Sequence, residues 1–219
     1  MRTIAVIALK GGSGKTTLAS HMALAAHLRG MSVLVADVDP QRSASEVLGA
    51  RETDGPRVVA ISGQSLMAAQ LAAVGTGLDL MVIDTAAGAV EDVGQSIVLA
   101  DLCLMVVRPT LLDISALVRT LDIVKRLKKQ AVVVVNQAPV PRGGSEAPTV
   151  RRALRALEYM RLPLAPTILR TRAVYQTALE TGRSAEEAHD PTAAKEMASL
   201  WTYLEPLIMA ERDAAPAAD

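Results

Sequence analysis

The stretch Leu9-Lys10-Gly11-Gly12-Ser13-Gly14-Lys15-Thr16-Thr17 constrains this chain more than any other. It follows an apolar run, Ile4 to Ala8, that reads as a buried strand. It precedes Leu18 to Leu28, which reads as a helix stopped by Gly30. Glycines between a strand and a helix let successive backbone N–H groups turn toward one point, and the helix N-terminus adds partial positive charge there. The pattern predicts a cradle for nucleotide phosphates formed by Gly11, Gly12, Ser13, Gly14, Lys15, Thr16 and Thr17. Lys15 is placed to reach the β- and γ-phosphates, and the Thr16 hydroxyl to ligate Mg²⁺.

Strand and helix patterns alternate from there on. Strands are expected over 32–36, 57–61, 78–83, 102–107 and 131–135, and helices over 41–48, 66–74, 93–100, 113–129 and 150–161. A short strand near 165–169 and two C-terminal helices complete the chain. This alternation implies an α/β fold, a mostly parallel twisted sheet with helices on both faces, whose ligands bind at the carboxyl ends of the strands. The 219 residues suit one such domain. It is expected over 1–213, with 214–219 as a flexible tail and the loop-like segment 139–148 as mobile.

Composition narrows the possibilities. Half the residues are hydrophobic, yet there is no Phe and only one Trp and three Tyr. The core must therefore come from Leu, Val, Ile, Ala and Met, and the stacking platforms of a single-strand nucleic-acid binder are missing. Lys plus Arg equals Asp plus Glu at 23 each, so attraction to DNA or lipid would need a local patch. The lone Cys103 reads as a small buried hydrophobe in a strand and permits no disulfide within the chain, which suits the cytosol. No apolar run reaches the length of a membrane span, and Met1-Arg2-Thr3 leads into the first strand with no cleavage signal.

Three aspartates follow strands. Asp84 ends the run Leu80-Met81-Val82-Ile83, the apolar-run-then-Asp pattern of a Walker B strand. Asp37 and Asp39 lie together in Asp37-Val38-Asp39-Pro40-Gln41. Paired carboxylates beside a phosphate repel it unless a cation lies between them, and hydrolysis further needs a group that orients water.

A strict phosphate loop has glycine where Leu9 stands; this one instead has a second lysine, Lys10, directly before Gly11. It resembles the deviant phosphate loop of the ParA/MinD family. Asp37 to Gln41 is similar to that family's second motif. Asp84-Thr85-Ala86-Ala87-Gly88 is similar to its γ-phosphate-sensing segment, with alanines replacing the prolines. Arg108-Pro109-Thr110-Leu111-Leu112-Asp113 resembles the loop beside the nucleotide and dimer interface in small plasmid-type members. Asn136, at the end of the Val-rich strand, matches the position of an asparagine that hydrogen-bonds adenine.

The resemblance implies a P-loop ATPase with ATP and Mg²⁺ as cofactors. Lys10 would reach across a homodimer to the partner's nucleotide in the ATP state. Asp37 would act on Mg²⁺ through water, Asp84 would hold it, also usually through water, and Asp39 would position the attacking water. Slow hydrolysis would be stimulated by a ParB-like or other cargo-linked protein, and the dimer would bind DNA non-specifically to position a plasmid, chromosome or protein cargo. The implied location is the cytoplasm, on the nucleoid.

Arg151, Arg152 and Arg155 on one helix, with Arg170 and Arg172, form the candidate DNA patch, which a dimer would double. The family's C-terminal Pro-Arg-Asn segment is replaced by Leu169-Arg170-Thr171-Arg172. Two alternatives are a weakly hydrolysing ATP-binding adaptor and a MinD-like membrane-cycling ATPase. The latter requires a basic amphipathic C-terminal helix. The chain instead reads Ala210-Glu211-Arg212-Asp213-Ala214-Ala215-Pro216-Ala217-Ala218-Asp219, so no stable membrane association is expected. The reductase branch, with its bridging iron–sulfur cluster, needs two cysteines per chain and is excluded by the count.

Overall fold

The computed structural model describes residues 1–88 and 90–210, without the side chains of 90–92; the expected tail over 214–219 lies outside the described residues. Strand β1 (Arg2–Ile7) is buried from Thr3 onward. Its alternating side chains enter two separate cores: Ile4 and Val6 face one, Ala5 and Ile7 the other. That two-sided burial explains why the strands read as continuous apolar runs rather than alternating ones.

With β2 (Val33–Asp37), β3 (Arg57–Ala60), β4 (Leu80–Asp84), β5 (Leu102–Val107) and β6 (Gln130–Val135), it forms a six-stranded sheet in the order β3-β2-β4-β1-β5-β6. Every pairing is parallel.

Helices α1 (Lys15–His27), α2 (Ser43–Gly49), the one-turn α7 (Val174–Thr177) and α8 (Pro191–Met209) build the first core, and α3 (Leu66–Ala73), α4 (Val90–Leu99), α5 (Leu111–Arg126) and α6 (Pro148–Tyr159) the second. Trp201 fastens α8. It is 1% exposed, and the Arg29 guanidinium carbon lies 5.7 Å from its ring centroid. Cys103 is fully buried in β5 as expected, and burial pushes its thiol up to about 12. Among the described residues no helix is long and apolar enough to cross a membrane.

The segment expected as a strand near 165–169 does follow β6, but brokenly. Ala165 N–H donates to Val133 O and Leu169 N–H to Val135 O, each at 2.9 Å. Pro163 and Pro166 have no N–H to give, so a continuous ladder cannot form. Within 139–148, Arg142 and Ser145 exchange two backbone hydrogen bonds, and the Arg170–Glu146 ion pair ties the segment to the chain beyond α6.

Candidate functional site

Strand order reverses at β1. From β1 the chain steps to β2 on one side, and from β4 it crosses β1 to reach β5 on the other. The carboxyl end of such a strand opens a crevice, and the glycine loop follows it directly. Gly12 and Gly14 take φ of +74° and +86°, the left-handed region that glycine alone enters freely. At Gly14 a Cβ would also collide with the Asn136 side-chain amide, so the position is closed to other residues twice over. Gly14 caps α1, and no side chain caps the first turn of that helix. Its N–H groups are thus left for an anion.

Lys15 begins α1 and is 6% exposed. Burial draws its pKa down, while the charges of Asp84 and Asp39 hold it up. Asp84 is fully buried and neither carboxylate oxygen has a hydrogen-bond partner. Burial pushes this carboxyl up to about 7; the Thr16 hydroxyl and Lys15 oppose the shift, and Asp37 and Asp39 add to it.

An orphaned carboxylate beside a lysine and a hydroxyl suits a divalent cation. Among the described residues no three His, Cys, Asp or Glu side chains converge. A cation here would therefore draw most of its ligands from phosphate oxygens and water, as Mg²⁺ does. Thr16 and Asp84 are the groups placed to meet it.

Asp37 pairs in register with Asp84 on the neighbouring strand. Its carboxylate is already engaged: one oxygen accepts the Ser45 N–H and hydroxyl at 2.8 Å each, the other the Asp39 N–H at 3.2 Å. It fastens the end of β2 to the first turn of α2. Asp39 is half-buried and accepts the Gln41 N–H at 2.9 Å, and Arg42 follows with φ of +54°. A non-glycine residue in that region holds the segment 39–42 in a strained turn.

Asn136 closes β6 as expected, but its amide serves the loop. Nδ2 donates to Ser13 O at 2.9 Å, and Oδ1 accepts the Gln137 N–H at 2.9 Å. Gln137 Nε2 in turn donates to Gly12 O at 3.2 Å. Residues 136 and 137 therefore brace the phosphate loop from the far side of the crevice. Gln137 carries no signal in sequence beyond its place after Asn136.

Lys10 does not turn toward its own loop. Its ammonium lies 2.9 Å from Asp113 Oδ1, with the side chain 35% exposed. Arg108 reaches the same carboxylate, Nε at 2.6 Å and Nη2 at 3.2 Å. Burial raises the Asp113 carboxyl, but hydrogen bonds from Arg108 and Lys10 outweigh it and hold the group below its usual range. Thr110 Oγ1 accepts the Asp113 N–H at 3.2 Å, an N-cap at the start of α5. The spacing Thr-x-x-Asp was the legible signal for this residue. Leu111 and Leu112, next to the cluster, are 79% and 69% exposed.

The expected five-arginine patch divides in two. Arg151, Arg152 and Arg155 are exposed on α6. Arg170 instead pairs with Glu146 and donates to Pro139 O at 3.0 Å. Arg172 pairs with Glu196 at 2.7 Å, and Glu196 also accepts the Tyr175 hydroxyl at 2.7 Å and the Arg170 N–H at 3.1 Å. These two guanidiniums are neutralised within the fold, joining α8 and the 139–148 segment to the chain between them.

Comparison with known proteins agrees with this architecture. The model of the CobQ/CobB/MinD/ParA nucleotide-binding domain matches residues 4–182. Maintenance of carboxysome distribution protein A of Halothiobacillus neapolitanus is 30% identical over 191 residues, covering 83% of this chain and 85% of that protein. Two solved structures share the fold. An aspartate-to-alanine variant of Cyanothece McdA in complex with ATP superposes with a TM-score of 0.79 at 21% identity, covering 94% of this chain and 96% of that one. Septum site-determining protein MinD of Pyrococcus horikoshii, complexed with Mg-ADP, gives 0.77 at 17% identity, covering 97% and 99%. With the phosphate loop, the parallel sheet and the family match in agreement, the chain belongs to the CobQ/CobB/MinD/ParA family of nucleotide-binding domains.

Proposed function

We propose that this protein is a ParA-like positioning ATPase, a single domain over 1–213 that dimerises around ATP·Mg²⁺ and binds DNA non-specifically to place a cargo. The similarity to a protein named for carboxysome distribution makes a protein assembly as reasonable a cargo as a plasmid. The observation that carries the reading is the position of Lys10, at the rim of the site on Asp113 and beside two exposed leucines, rather than over its own loop.

In this reading the loop amides, Lys15 and Thr17 hold the triphosphate, with Asn136 steadying the loop. Thr16 and Asp84 hold Mg²⁺, and Asp37 acts on it only through water because its own oxygens are engaged. A divalent ion held there would supply positive charge against the phosphates. Asp39 orients the attacking water. Lys10 exchanges Asp113 for the partner's phosphates, and Leu111 and Leu112 are covered as the two chains close.

Hydrolysis removes the group that rewarded that exchange, so the dimer opens. It runs slowly until a cargo-linked protein stimulates it. The α6 arginines, present twice in a dimer, turn weak phosphate attraction into retention on DNA.

Sedimentation velocity tests the dimer. Saturating ATPγS with Mg²⁺ should give a dimer and ADP a monomer. Lys10→Ala should stay monomeric with analogue affinity changed by less than about threefold, a shift under about 1 kcal/mol. A wild-type protein that remains monomeric when saturated with the analogue overturns the reading.

A further inference from the structure

Asp113 receives more positive charge than it can neutralise. Its carboxylate, with the side chain 2% exposed, takes both Lys10 and Arg108. The two cations bind it differently. Arg108 reaches both oxygens, Nε to Oδ2 at 2.6 Å and Nη2 to Oδ1 at 3.2 Å. Lys10 meets Oδ1 alone, at 2.9 Å. Loss of Lys10 would therefore leave neither oxygen bare, whereas loss of both cations would strand a buried anion. Water could do little to replace them. The cavity behind the carboxylate, lined by Leu9, Val106, Ala116 and Leu117, is about 10 Å³, room for one molecule at most.

The two backbones differ in the same sense. Arg108 follows directly on β5 and precedes Pro109, whose ring restricts the residue before it. Arg108 Nη1 lies 3.6 Å from the place a Cβ on Gly12 would take, so the guanidinium is seated between Asp113 and the phosphate loop. Lys10 stands before Gly11 and Gly12, and its side chain is 35% exposed. A planar fork suits a fixed carboxylate, while an ammonium on a flexible stem is a point charge that can change anions. Of the two, Lys10 is the one able to leave.

We propose that Arg108 is the positioning residue that makes Lys10 transferable: it alone satisfies Asp113 once the ammonium leaves for the partner's phosphates. The role rests on the ATP-bound dimer proposed above and assigns its regulation. Asp113 holds Lys10 at the rim in the nucleotide-free chain, and Arg108 lowers the cost of letting it go. Without Arg108, departure of Lys10 would strand the Asp113 carboxylate, and the monomer would be favoured even with triphosphate bound.

Sedimentation velocity with saturating ATPγS and Mg²⁺ reads the transfer. Arg108→Gln should weaken the dimer at least about tenfold, or about 1.4 kcal/mol. Adding Asp113→Asn should restore it to within about threefold of wild type, because no anion is left to strand. A residue that only held the fold together would not be rescued by removing its partner as well.

Urea unfolding of the nucleotide-free protein tests the shared carboxylate without any dimer. Lys10→Ala and Arg108→Gln should each lower the midpoint by less than about 0.3 M, and the two together by at least about 1 M. Dimerisation of Arg108→Gln equal to wild type overturns the proposal. So does failure of Asp113→Asn to rescue it, and so do midpoint shifts that simply add. A monomeric wild type with non-additive midpoints would keep Arg108 as the holder of Asp113 and defeat the dimer reading alone.

Discussion

Asp84 and Glu196 are both acidic side chains turned into the protein, and their surroundings could hardly differ more. Asp84 ends β4 with two unpartnered oxygens and a carboxyl pushed up to about 7 by burial. Glu196, on α8, receives the Arg172 guanidinium, the Tyr175 hydroxyl and the Arg170 N–H. A buried carboxylate without a partner costs stability, and the rest of the fold must carry that cost. The half of the molecule around the phosphate loop keeps polar groups unfilled, as a site awaiting a charged ligand must. The C-terminal third pairs its charges with one another and uses them as fasteners. An unpartnered carboxylate, more than charge itself, separates the candidate site from its scaffold.

The contrast can be broken most directly at Lys15. Lys15→Ala should weaken binding of a fluorescent ATP analogue at least about 100-fold, or about 2.7 kcal/mol. Nucleotide-free stability should hardly fall, since a buried cation is removed along with its role.

The two carboxylates should next respond with opposite signs. Glu196→Ala strands a partly buried arginine and should cost about 3 kcal/mol in urea unfolding. Asp84→Asn should stabilise the nucleotide-free protein by about 1 kcal/mol while losing the gain that ATP·Mg²⁺ brings to wild type. A loss at both positions would show that Asp84 is a fastener like Glu196.

His21 sharpens the comparison because it is buried and satisfied only when neutral. Nε2–H donates to Tyr175 O at 3.0 Å, and Nδ1 accepts the Ala185 N–H at 3.3 Å. Burial lowers its pKa to about 4. The unfolded chain therefore takes up the proton first. Its contribution is complete above about pH 6.5 and is lost as the pH falls toward 4, by up to about 3 kcal/mol. Thermal unfolding across that window should show a decline that His21→Gln flattens.

The smallest effect separates the arginines. Arg152→Glu with Arg155→Glu removes two arginines from each subunit of the dimer and should reduce the salt dependence of ATP-dependent DNA retention by about 3.6 in slope. Arg172→Gln should leave that slope alone and lower stability instead. Equal loss of DNA retention in both would restore the single five-arginine patch.

Much of this was legible in sequence. Two-sided apolar runs marked the strands, and glycine spacing marked the loop, because strand periodicity and positive φ are imposed by neighbours in the chain. Asp84 was legible for the same reason, as a polar residue at the end of an apolar run. The strand near 165–169 was overread, since hydropathy does not register the N–H groups that Pro163 and Pro166 lack. The ion pairs of Arg170 and Arg172 were not legible, since a one-dimensional reading cannot show which carboxylate a folded loop brings to a guanidinium.

What the chain alone determined is the architecture and the phosphate cradle: a parallel sheet, a glycine turn at the end of its first strand, a lysine and a hydroxyl at the head of a helix. These follow from local backbone preferences and from the period of burial. Only the tertiary structure decided the partners. Asn136 braces Ser13 from 123 positions away, Lys10 and Arg108 share the buried carboxylate of Asp113, and α3 and α4 leave their apolar edge bare. Such pairings depend on which strand ends and loops the sheet order brings together, and charge and hydrogen-bond energies fall away too steeply with distance to be read from residues far apart in the chain.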